Sequence, residues 1–577
     1  MLKNKIKFWT LFVILNCLLF LPKYLLEYES STFFPISNLF QDSIYGSFKS
    51  LFVRYNFDIF RISIDLVLIV IVFYLLRKRV SPKKYARFAG TYYLFMLLFI
   101  VYYTVMEKLF LAKPVLYDDL YLFKLGFINT VGKNSFIFLL EIFAFLLIVW
   151  LFIKLFQYFL TMVSQIQFGK GTKFALIILG FFYLINTVRS GMTFEPHHTF
   201  QLTFSMIADN VKYSVQAYKN LHRFDIEKLN HKLNYDQYQL KKQPNVYFLF
   251  VESYGRIVYQ NEKLRLNYIV TLDSCQNKLN TNGYHSYSAF STSPVSGGGS
   301  WISYSSVMFG FNLKNQATYL SMVKNNETAS YNHMFRWFNK KGYLNYRLVA
   351  LPDDENLKVS WDKYTSFYAV DEWIRYKDLN YQGNKFGFGP SPPDQYSLNF
   401  GNEYIRKNSK TPYTLFFISQ NSHTPFFSPD SLASDWRSLN NTRQKIEQKS
   451  VFLRNPKFED YSKAIDYSLK MFAQFIISQG KENDIFILIG DHQPPFLTRN
   501  KDGFDTPVHI IVRDKKFGAG FSKYGFTPGM HIPEHSIPLR HEGIYSMFMR
   551  EFIRNYGADT THLPEYLPLG IQTYEDE

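Results

Sequence analysis

Three short apolar runs in the C-terminal half of the chain are each followed, within four residues, by residues that could bind a metal ion. These residues are Glu252, His423 and the pair Asp491-His492. Taken alone, a carboxylate after a strand is more often a helix cap, and a single histidine is more often structural. Together, carboxylate oxygens and an imidazole nitrogen form a mixed ligand set that suits Zn²⁺, Mn²⁺ or Mg²⁺. The pattern therefore predicts a divalent metal site.

A glycine-rich segment supplies a candidate nucleophile. Ser300 follows three glycines at 297–299 and precedes a helix-like stretch at 301–309. Glycines allow the backbone to approach a ligand closely. The free N–H groups and the dipole of a helix N-terminus favour an anion, either a phosphate or a serine alkoxide. A serine needs such help, or a metal, to become a nucleophile. The structural alternative is an N-cap serine after a flexible loop.

The apolar runs themselves predict the fold of this half. They are short and continuous, as expected for strands buried on both faces of a parallel sheet. The runs are 246–251, 413–419, 485–490 and 508–512. Helical patterns lie between them at 266–280, 328–341 and 459–480. Alternating strands and helices predict an α/β domain with a mostly parallel central sheet covered by helices. Ligands of such sheets bind at the carboxyl ends of the strands, which is where the candidate residues stand.

The N-terminal third of the chain is apolar enough to cross a membrane. A spanning helix needs about 20 mostly apolar residues. Five stretches meet this requirement: 8–26, 58–76, 89–108, 135–160 and 173–190. The first lacks a small-residue cleavage site, so we expect it to be retained. We therefore expect a transmembrane domain at 1–190, a juxtamembrane helical linker at 191–243 and a soluble domain at 244–577.

The charge of the chain predicts its orientation. Lysines and arginines are concentrated at the N-terminus, at 77–87 and after the fourth apolar stretch. The positive-inside rule then places the N-terminus in the cytoplasm and the large domain outside. These loops account for part of the net charge of +17. The chain has no zinc-finger or RNA-binding signature, so we expect no nucleic-acid partner.

Four motifs in chain order resemble the alkaline phosphatase/sulfatase superfamily. They are the run 245–251 followed by Glu252-Ser253, the glycine-rich loop followed by Ser300, the segment 422–426 around His423, and Gly490-Asp491-His492. Five helices before such a domain resemble the lipoteichoic acid synthase branch, whose relatives include phosphoglycerol transferases. In architecture the resemblance covers nearly the whole chain, and at residue level it rests on these four motifs.

The resemblance implies a metal centre and a covalent mechanism. Glu252, Ser300, Asp491 and His492 would bind one divalent cation, with Mn²⁺ favoured and Zn²⁺ and Mg²⁺ as alternatives. Ser300 would attack the phosphate of a phospholipid. The synthases have threonine at the position of Ser300, and the two hydroxyls have equivalent chemistry.

The resemblance also implies residues that bind the substrate. His423 would contact the phospho-head group, and it is a candidate for proton transfer. Trp361 and Lys363 stand where the branch has a tryptophan and an arginine on the head group. Lys363 offers a single ammonium charge where the arginine of the branch offers a guanidinium that binds with two N–H groups. This difference leaves the identity of the head group open.

These expectations describe an enzyme of the bacterial cytoplasmic (inner) membrane. It would move a phospho-head group, with phosphoglycerol favoured, from a phospholipid donor to a glycan, glycolipid or polymer acceptor. A phosphoethanolamine transferase is the first alternative, although such enzymes usually carry several disulfides and Cys275 is the only cysteine outside the membrane half. A sulfatase is disfavoured because residues 300–304 lack the Pro or Ala and the Arg that follow a formylglycine precursor. A non-catalytic membrane sensor is the third alternative.

Overall fold

The computed structural model describes most of the chain and divides it into two units. Residues 1–108 and 112–218 form the first unit, and residues 219–577 with 109–111 form the second. The described residues are 2–26, 33–34, 53–54, 57–110, 113–120, 135–165, 168–190, 199–220, 230–313, 315–324, 331–352, 360–387, 391–441, 456–499, 502–531 and 539–572. Parts of the predicted linker, 191–198 and 221–229, and residues 328–330 of a predicted helix lie outside them.

The first unit is helical. Its helices are α1 (Leu2–Leu26), α2 (Ile64–Leu76), α3 (Pro82–Phe110), α4 (Ser135–Gln165), α5 (Lys170–Ser190) and α6 (Thr203–Asn220). The first five overlap the five predicted apolar stretches.

These helices differ in whether they are long and apolar enough to cross a membrane. The described residues contain three helices long and apolar enough to cross a membrane, with spans at Ile6–Leu26, Lys83–Phe110 and Ile142–Val163. Helix α2 is apolar but has 13 residues. At a rise of about 1.5 Å per residue it is about 20 Å long, which is less than the hydrocarbon thickness of about 30 Å. The five predicted stretches therefore comprise three helices of spanning length, one shorter apolar helix, and α5.

Aromatic packing holds the first unit together. Phe8 of α1 stacks on Phe159 of α4, with 5.6 Å between ring centroids. Tyr93 of α3 is buried and donates a hydrogen bond to the carbonyl of Leu15 at 2.7 Å. The high phenylalanine and tyrosine content of the sequence is thus used to join helices.

An eight-stranded sheet organises the second unit. Its strands are β1 (Val246–Val251), β2 (His285–Thr292), β3 (Leu344–Val349), β4 (Glu372–Arg375), β5 (Tyr413–Ile418), β6 (Ile485–Gly490), β7 (Asp505–Val512) and β8 (Thr527–Pro528). The strand order is β8-β2-β7-β6-β1-β5-β3-β4. The five strands from β6 to β4 are parallel, which confirms the predicted mostly parallel sheet.

The other three strands are antiparallel, which the sequence analysis did not predict. The strand predicted at 508–512 begins at Asp505 and runs antiparallel to both neighbours. Residues 491–504, which join β6 to β7, contain no described helix that could return the chain to the opposite edge. A parallel connection needs such a crossover, so β7 runs back beside β6.

Helices cover both faces of the sheet. They are α7 (Glu262–Thr281), α8 (Ser300–Phe309), α9 (Met334–Lys340), α10 (Trp361–Tyr368), α11 (Asp394–Asn408), α12 (Phe458–Gln479) and α13 (His541–Tyr556). Further helices lie at Ile257–Gln260, Gln316–Lys324 and Lys515–Ala519. Alternate residues of β1 face opposite layers: Phe248 packs on Phe335 of α9 and Phe548 of α13, whereas Tyr247 packs on Phe475 of α12. This explains why the run 246–251 is apolar at every position.

A buried histidine on β7 makes the stability of the second unit depend on pH. His509 Nε2 lies 2.9 Å from the Tyr254 hydroxyl, and its Nδ1 lies 2.7 Å from Ser288 Oγ. Burial, with a smaller effect of His531, lowers the pKa of His509 to about 3. The unfolded chain has a histidine pKa of about 6.5 and takes up a proton that the folded chain excludes. The contribution of His509 is therefore complete above pH 6.5 and is lost as the pH falls toward 3.

We expect this loss to be measurable by urea unfolding of the full chain, followed by tryptophan fluorescence. Between pH 7 and pH 5 the free energy of unfolding should fall by about 2 kcal/mol more in the wild type than in His509→Gln. The control is His231→Gln, since His231 is exposed. Equal pH dependence of the wild type and His509→Gln would contradict the assignment.

Candidate metal centre and nucleophile

Strand pairing brings the candidate metal ligands together. Strands β1 and β6 are parallel neighbours, with Val251 opposite Gly490. The residues that follow, Glu252 and Asp491-His492, therefore leave the sheet side by side at its carboxyl edge. All three are buried, and one possible ligand atom from each lies within 4.8 Å of the others.

Gly490 is required at this edge because the backbone of the next turn passes close to it. A Cβ at position 490 would lie 2.0 Å from the carbonyl oxygen of Tyr254. Every larger residue would push apart the turns that carry Glu252 and Asp491. The glycine in the Gly-Asp-His motif thus has a steric role.

Helix α8 brings Ser300 to the three ligands. Ser300 Oγ donates a hydrogen bond to Glu252 Oε2 at 3.2 Å and lies 3.1 Å from His492 Nε2. Ser300 is the first residue of α8, so its hydroxyl lies at the positive end of the helix dipole. The helix dipole favours negative charge at this end, whereas the Glu252 carboxylate accepts the hydrogen bond of the neutral hydroxyl.

The three glycines before Ser300 are needed for their backbone conformation. Gly297, Gly298 and Gly299 have φ angles of 85°, 74° and 75°. Residues with a Cβ rarely adopt three such angles in succession, because each costs roughly 1–2 kcal/mol. The Gly-Gly-Gly sequence therefore permits the left-handed turn that directs Ser300 toward Glu252.

Gly299→Ala isolates this backbone requirement. A Cβ at position 299 would have no neighbour nearer than 3.7 Å, so the added methyl group fits. We expect Gly299→Ala to lower the free energy of unfolding by about 1–2 kcal/mol, and Gly299→Asn to lower it less because asparagine tolerates this conformation better. Urea unfolding of both variants measures the difference. An asparagine variant no more stable than the alanine variant would argue against strain as the cause.

A backbone carbonyl sets the tautomer of His492. His492 Nδ1 lies 2.8 Å from the carbonyl oxygen of Gln493, which can only accept, so Nδ1 carries the hydrogen. The lone pair of Nε2 then faces the cluster, where the Gly298 N–H donates to it at 3.2 Å. Fixing a ligand histidine through its other nitrogen is typical of metal sites.

The donor set fits a divalent cation. Asp491 Oδ1 accepts hydrogen bonds from the backbone N–H groups of Ser253 and His492, whereas Asp491 Oδ2 is buried and accepts none from the described residues. Burial and the nearby Glu252 carboxylate raise the pKa of Asp491 to about 7. Burial lowers the pKa of His492, but Asp491 and Glu252 raise it more, so the net shift is upward. Buried carboxylates this close need a positive charge between them.

The turn after β5 places His423 beside the cluster. His423 Nε2 lies 4.0 Å from Glu252 Oε1, and its Nδ1 donates to the carbonyl of Thr424 at 2.9 Å. Burial, and the neighbouring His492, lower the pKa of His423, which favours the neutral form. Asp394 of α11 holds this turn by accepting hydrogen bonds from the N–H groups of Gln420 and Asn421, both at 2.8 Å.

Trp361 and Lys363 stand on a different element, α10. Trp361 packs edge-to-face on Trp373, with 4.9 Å between centroids, and the Arg375 guanidinium lies 5.2 Å from the Trp361 ring. Lys363 Nζ donates to the carbonyl of Lys324 at 2.9 Å. These described contacts are all with residues outside the metal cluster, so a substrate-binding role for Trp361 and Lys363 stays a prediction.

Three serines that the sequence analysis did not assign support the site. Ser253 Oγ donates to Glu252 Oε1 at 3.0 Å. Ser293 Oγ and Ser303 Oγ both donate to the carbonyl of Asp491 at 2.6 Å. Ser303 lies one turn after Ser300 on α8, so its bond joins the helix that carries Ser300 to the turn that carries Asp491. The spacing of three residues on a predicted helix was a signal for Ser303, whereas nothing in the sequence singled out Ser293.

Several solved structures match part of the chain at low sequence identity. One is a protein in the alkaline phosphatase superfamily from Vibrio parahaemolyticus, which is 14% identical over 62% of this chain and 77% of that chain, with a TM-score of 0.37.

Two further solved structures are of a synthase and of a domain of a transferase. The lipoteichoic acid synthase LtaP from Listeria monocytogenes is 15% identical over 60% of this chain and 80% of that chain, with a TM-score of 0.35. The C-terminal periplasmic domain of the phosphoethanolamine transferase EptC from Campylobacter jejuni is 11% identical over 57% of this chain and 95% of that chain, with a TM-score of 0.34. No protein-family model and no curated protein matches the chain. The chemistry below is argued from this chain's own residues.

Proposed function

We propose that this protein is a metal-dependent membrane transferase that moves a phospho-head group from a phospholipid to an extracytoplasmic acceptor through a covalent bond to Ser300. Phosphoglycerol is the proposed head group. The observation that supports the proposal best is the position of Ser300 Oγ, 3.2 Å from Glu252 Oε2 and 3.1 Å from His492 Nε2 at a helix N-terminus. A serine hydroxyl held within a buried ligand set is an arrangement suited to nucleophilic attack.

Glu252, Ser300, Asp491 and His492 would hold one divalent cation, which we propose to be Mn²⁺. Such a cation supplies charge neutralisation at a phosphate oxygen and lowers the pKa of the serine hydroxyl. Zn²⁺ and Mg²⁺ also accept oxygen and nitrogen donors, so the donor set alone favours none of the three strongly.

The reaction would proceed in two displacements. First, Ser300 Oγ forms a bond to phosphorus, the bond from phosphorus to the diacylglycerol oxygen breaks, and diacylglycerol leaves as an alcohol after taking up a proton. Second, an acceptor hydroxyl, from a glycan, a glycolipid or a polymer, attacks the same phosphorus, the bond from phosphorus to Ser300 Oγ breaks, and Ser300 regains its proton. His423 Nε2 is proposed to take the proton of the acceptor, because Nδ1–H is already bonded to Thr424 and the ring is neutral.

The membrane helices support a lipid donor on the outer face. Any odd number of crossings, whether three or five, would put residues 219–577 on the side of the membrane opposite to the N-terminus. The basic residues at 77–87 favour five crossings, since only then do they lie on the cytoplasmic side with the N-terminal lysines. Outside the cytoplasm ATP is absent, and a phospholipid is the activated donor at hand. We therefore propose a bacterial inner-membrane location with an extracytoplasmic catalytic unit.

The donor lipid can be tested directly. The purified full chain is reconstituted with Mn²⁺ in vesicles that contain head-group-labelled phosphatidylglycerol or phosphatidylethanolamine, and the peptide that contains Ser300 is analysed by mass spectrometry. We expect a glycerophosphate adduct on Ser300 and release of diacylglycerol from phosphatidylglycerol. The control is Ser274→Ala, because Ser274 lies on α7, which contributes no residue to the site.

Each other outcome changes the proposal. An ethanolamine phosphate adduct would replace phosphoglycerol by phosphoethanolamine and keep the mechanism. No adduct and no diacylglycerol release with either lipid would contradict both transferases. The absence of bound divalent metal from the purified chain would favour a non-catalytic role.

A further inference from the structure

Helix α6 presents an apolar stripe along its exposed side. Phe204, Val211, Val215 and Tyr218 are 60%, 56%, 48% and 51% exposed. Their spacings of seven, four and three residues place them on one face of a helix with 3.6 residues per turn. The stripe therefore runs along nearly the whole of α6, where an exposed helix of a soluble domain would carry polar residues.

The opposite side of α6 is fixed to α3 and to the segment that follows α3 in the same unit. Met206 packs with Phe99 and Tyr103 of α3. Asn210 is buried, with Nδ2 donating to the carbonyl of Pro114 at 2.9 Å and Oδ1 accepting from the Leu116 N–H at 3.1 Å. The exposed stripe is thus the outward face of a helix that is already anchored on its other side.

The start of α6 is tied to α2 as well. Asp65 accepts hydrogen bonds from the backbone N–H groups of Thr203 at 2.6 Å and Phe204 at 3.3 Å. These are among the N–H groups that a helix leaves without partners in its first turn. A side chain near the N-terminal end of an apolar helix therefore holds the first turn of α6.

These contacts place α6 at the level of a membrane–water interface. The spanning segment of α3 is Lys83–Phe110, and α6 contacts it at Phe99 and Tyr103, in its C-terminal half. Tyrosines surround this level: Tyr102 and Tyr103 on α3, and Tyr117 edge-to-face with Tyr218 at 5.7 Å. Tyrosine rings are enriched where hydrocarbon meets head groups.

The charges beside the stripe complement anionic lipid. Lys212 and Lys219 are exposed on α6. Asp209 is the one acidic residue of the helix, and it is only partly exposed. Exposed lysines next to an apolar face are typical of helices that lie in the plane of an anionic bilayer surface.

We propose that α6 is an interfacial helix whose Phe204–Tyr218 stripe is covered by the lipid bilayer, with Lys212 and Lys219 directed toward anionic phosphate head groups. With one acidic and two basic residues among 18, α6 is too polar to span the bilayer, and it has the strong two-sided character of a surface helix. The proposal is that lipid covers the stripe. It does not depend on the transferase activity.

Depth-dependent quenching tests the proposal. Single cysteines replace Val211, Val215 or Gln216 in the full chain carrying Cys17→Ser and Cys275→Ala, and each is labelled with a polarity-sensitive fluorophore. The chains are placed one per nanodisc in phosphatidylglycerol and phosphatidylcholine with nitroxide on the acyl chain. Gln216 is the matched control, since it is exposed and adjacent to Val215 but about 100° around the helix.

We expect the labels at 211 and 215 to emit at shorter wavelength and to lose fluorescence to the lipid-borne nitroxide, and the label at 216 to lose more to a water-soluble quencher. Stronger quenching by the water-soluble agent at 211 and 215 would overturn the proposal. So would protection of these labels only in larger nanodiscs that hold two copies, because a second copy would then cover the stripe.

Discussion

Ser300→Ala should lower diacylglycerol release from a labelled phospholipid by on the order of 10³-fold or more and should abolish the covalent adduct. The reason is that Ser300 Oγ is the one hydroxyl that contacts both Glu252 and His492 among the described residues. Alanine retains the helical conformation of α8 and removes only the attacking oxygen. Initial rates of diacylglycerol release, together with mass spectrometry of the Ser300 peptide, measure both effects.

Ser300→Thr should be measured beside Ser300→Ala. It keeps a hydroxyl at the same position, so we expect it to form an adduct, at a lower rate because of its extra methyl group. Diacylglycerol release by Ser300→Ala at the wild-type rate would show that the donor phosphate is attacked by water or by another residue. The covalent mechanism would then be wrong even if the metal site were correct.

Glu252→Gln should weaken the binding of Mn²⁺ or Zn²⁺ by about 100-fold or more, since losing only an outer-shell partner of a metal ligand costs about 10–100-fold. Glu252 directs its carboxylate at both Ser300 and His492 from the end of β1. Isothermal titration of chelator-stripped protein in detergent measures the affinity. We expect activity to fall in parallel, because the same carboxylate orients Ser300.

The stability of the metal-free variant separates a ligand role from simple damage to the fold. Glu252 and Asp491 repel each other without a cation, and this repulsion contributes to the raised pKa of Asp491. Metal-free Glu252→Gln should therefore be no less stable to urea than the metal-free wild type. The control is Glu403→Gln, whose side chain is 54% exposed and pairs with Arg437. Unchanged metal affinity in Glu252→Gln would remove Glu252 from the ligand set.

Local patterns in the sequence were sufficient for the parallel core and for part of the site. Residues buried on both faces of a strand must all be apolar, so runs such as 246–251 and 485–490 identify central strands without any knowledge of their neighbours. Parallel strands end at a common edge, so Glu252 and Asp491 could be grouped before their pairing was known. Three helices of spanning length among the described residues of the first unit were recognisable for a similar reason, because an apolar stretch has to be continuous to meet lipid.

Tertiary structure decided what depends on contacts between distant residues. The approach of Ser300 to Glu252 depends on how α8 packs and on the left-handed run at 297–299, and Ser293 and Ser303 acquire their role only when Asp491 lies beside them. The antiparallel direction of β7 follows from the lack of a crossover after β6. On α6, sequence shows amphipathic character, but only the packing of Met206 and Asn210 shows which face is left exposed. Residue type and period are local properties of a chain, whereas the partner of each face is set by the whole fold.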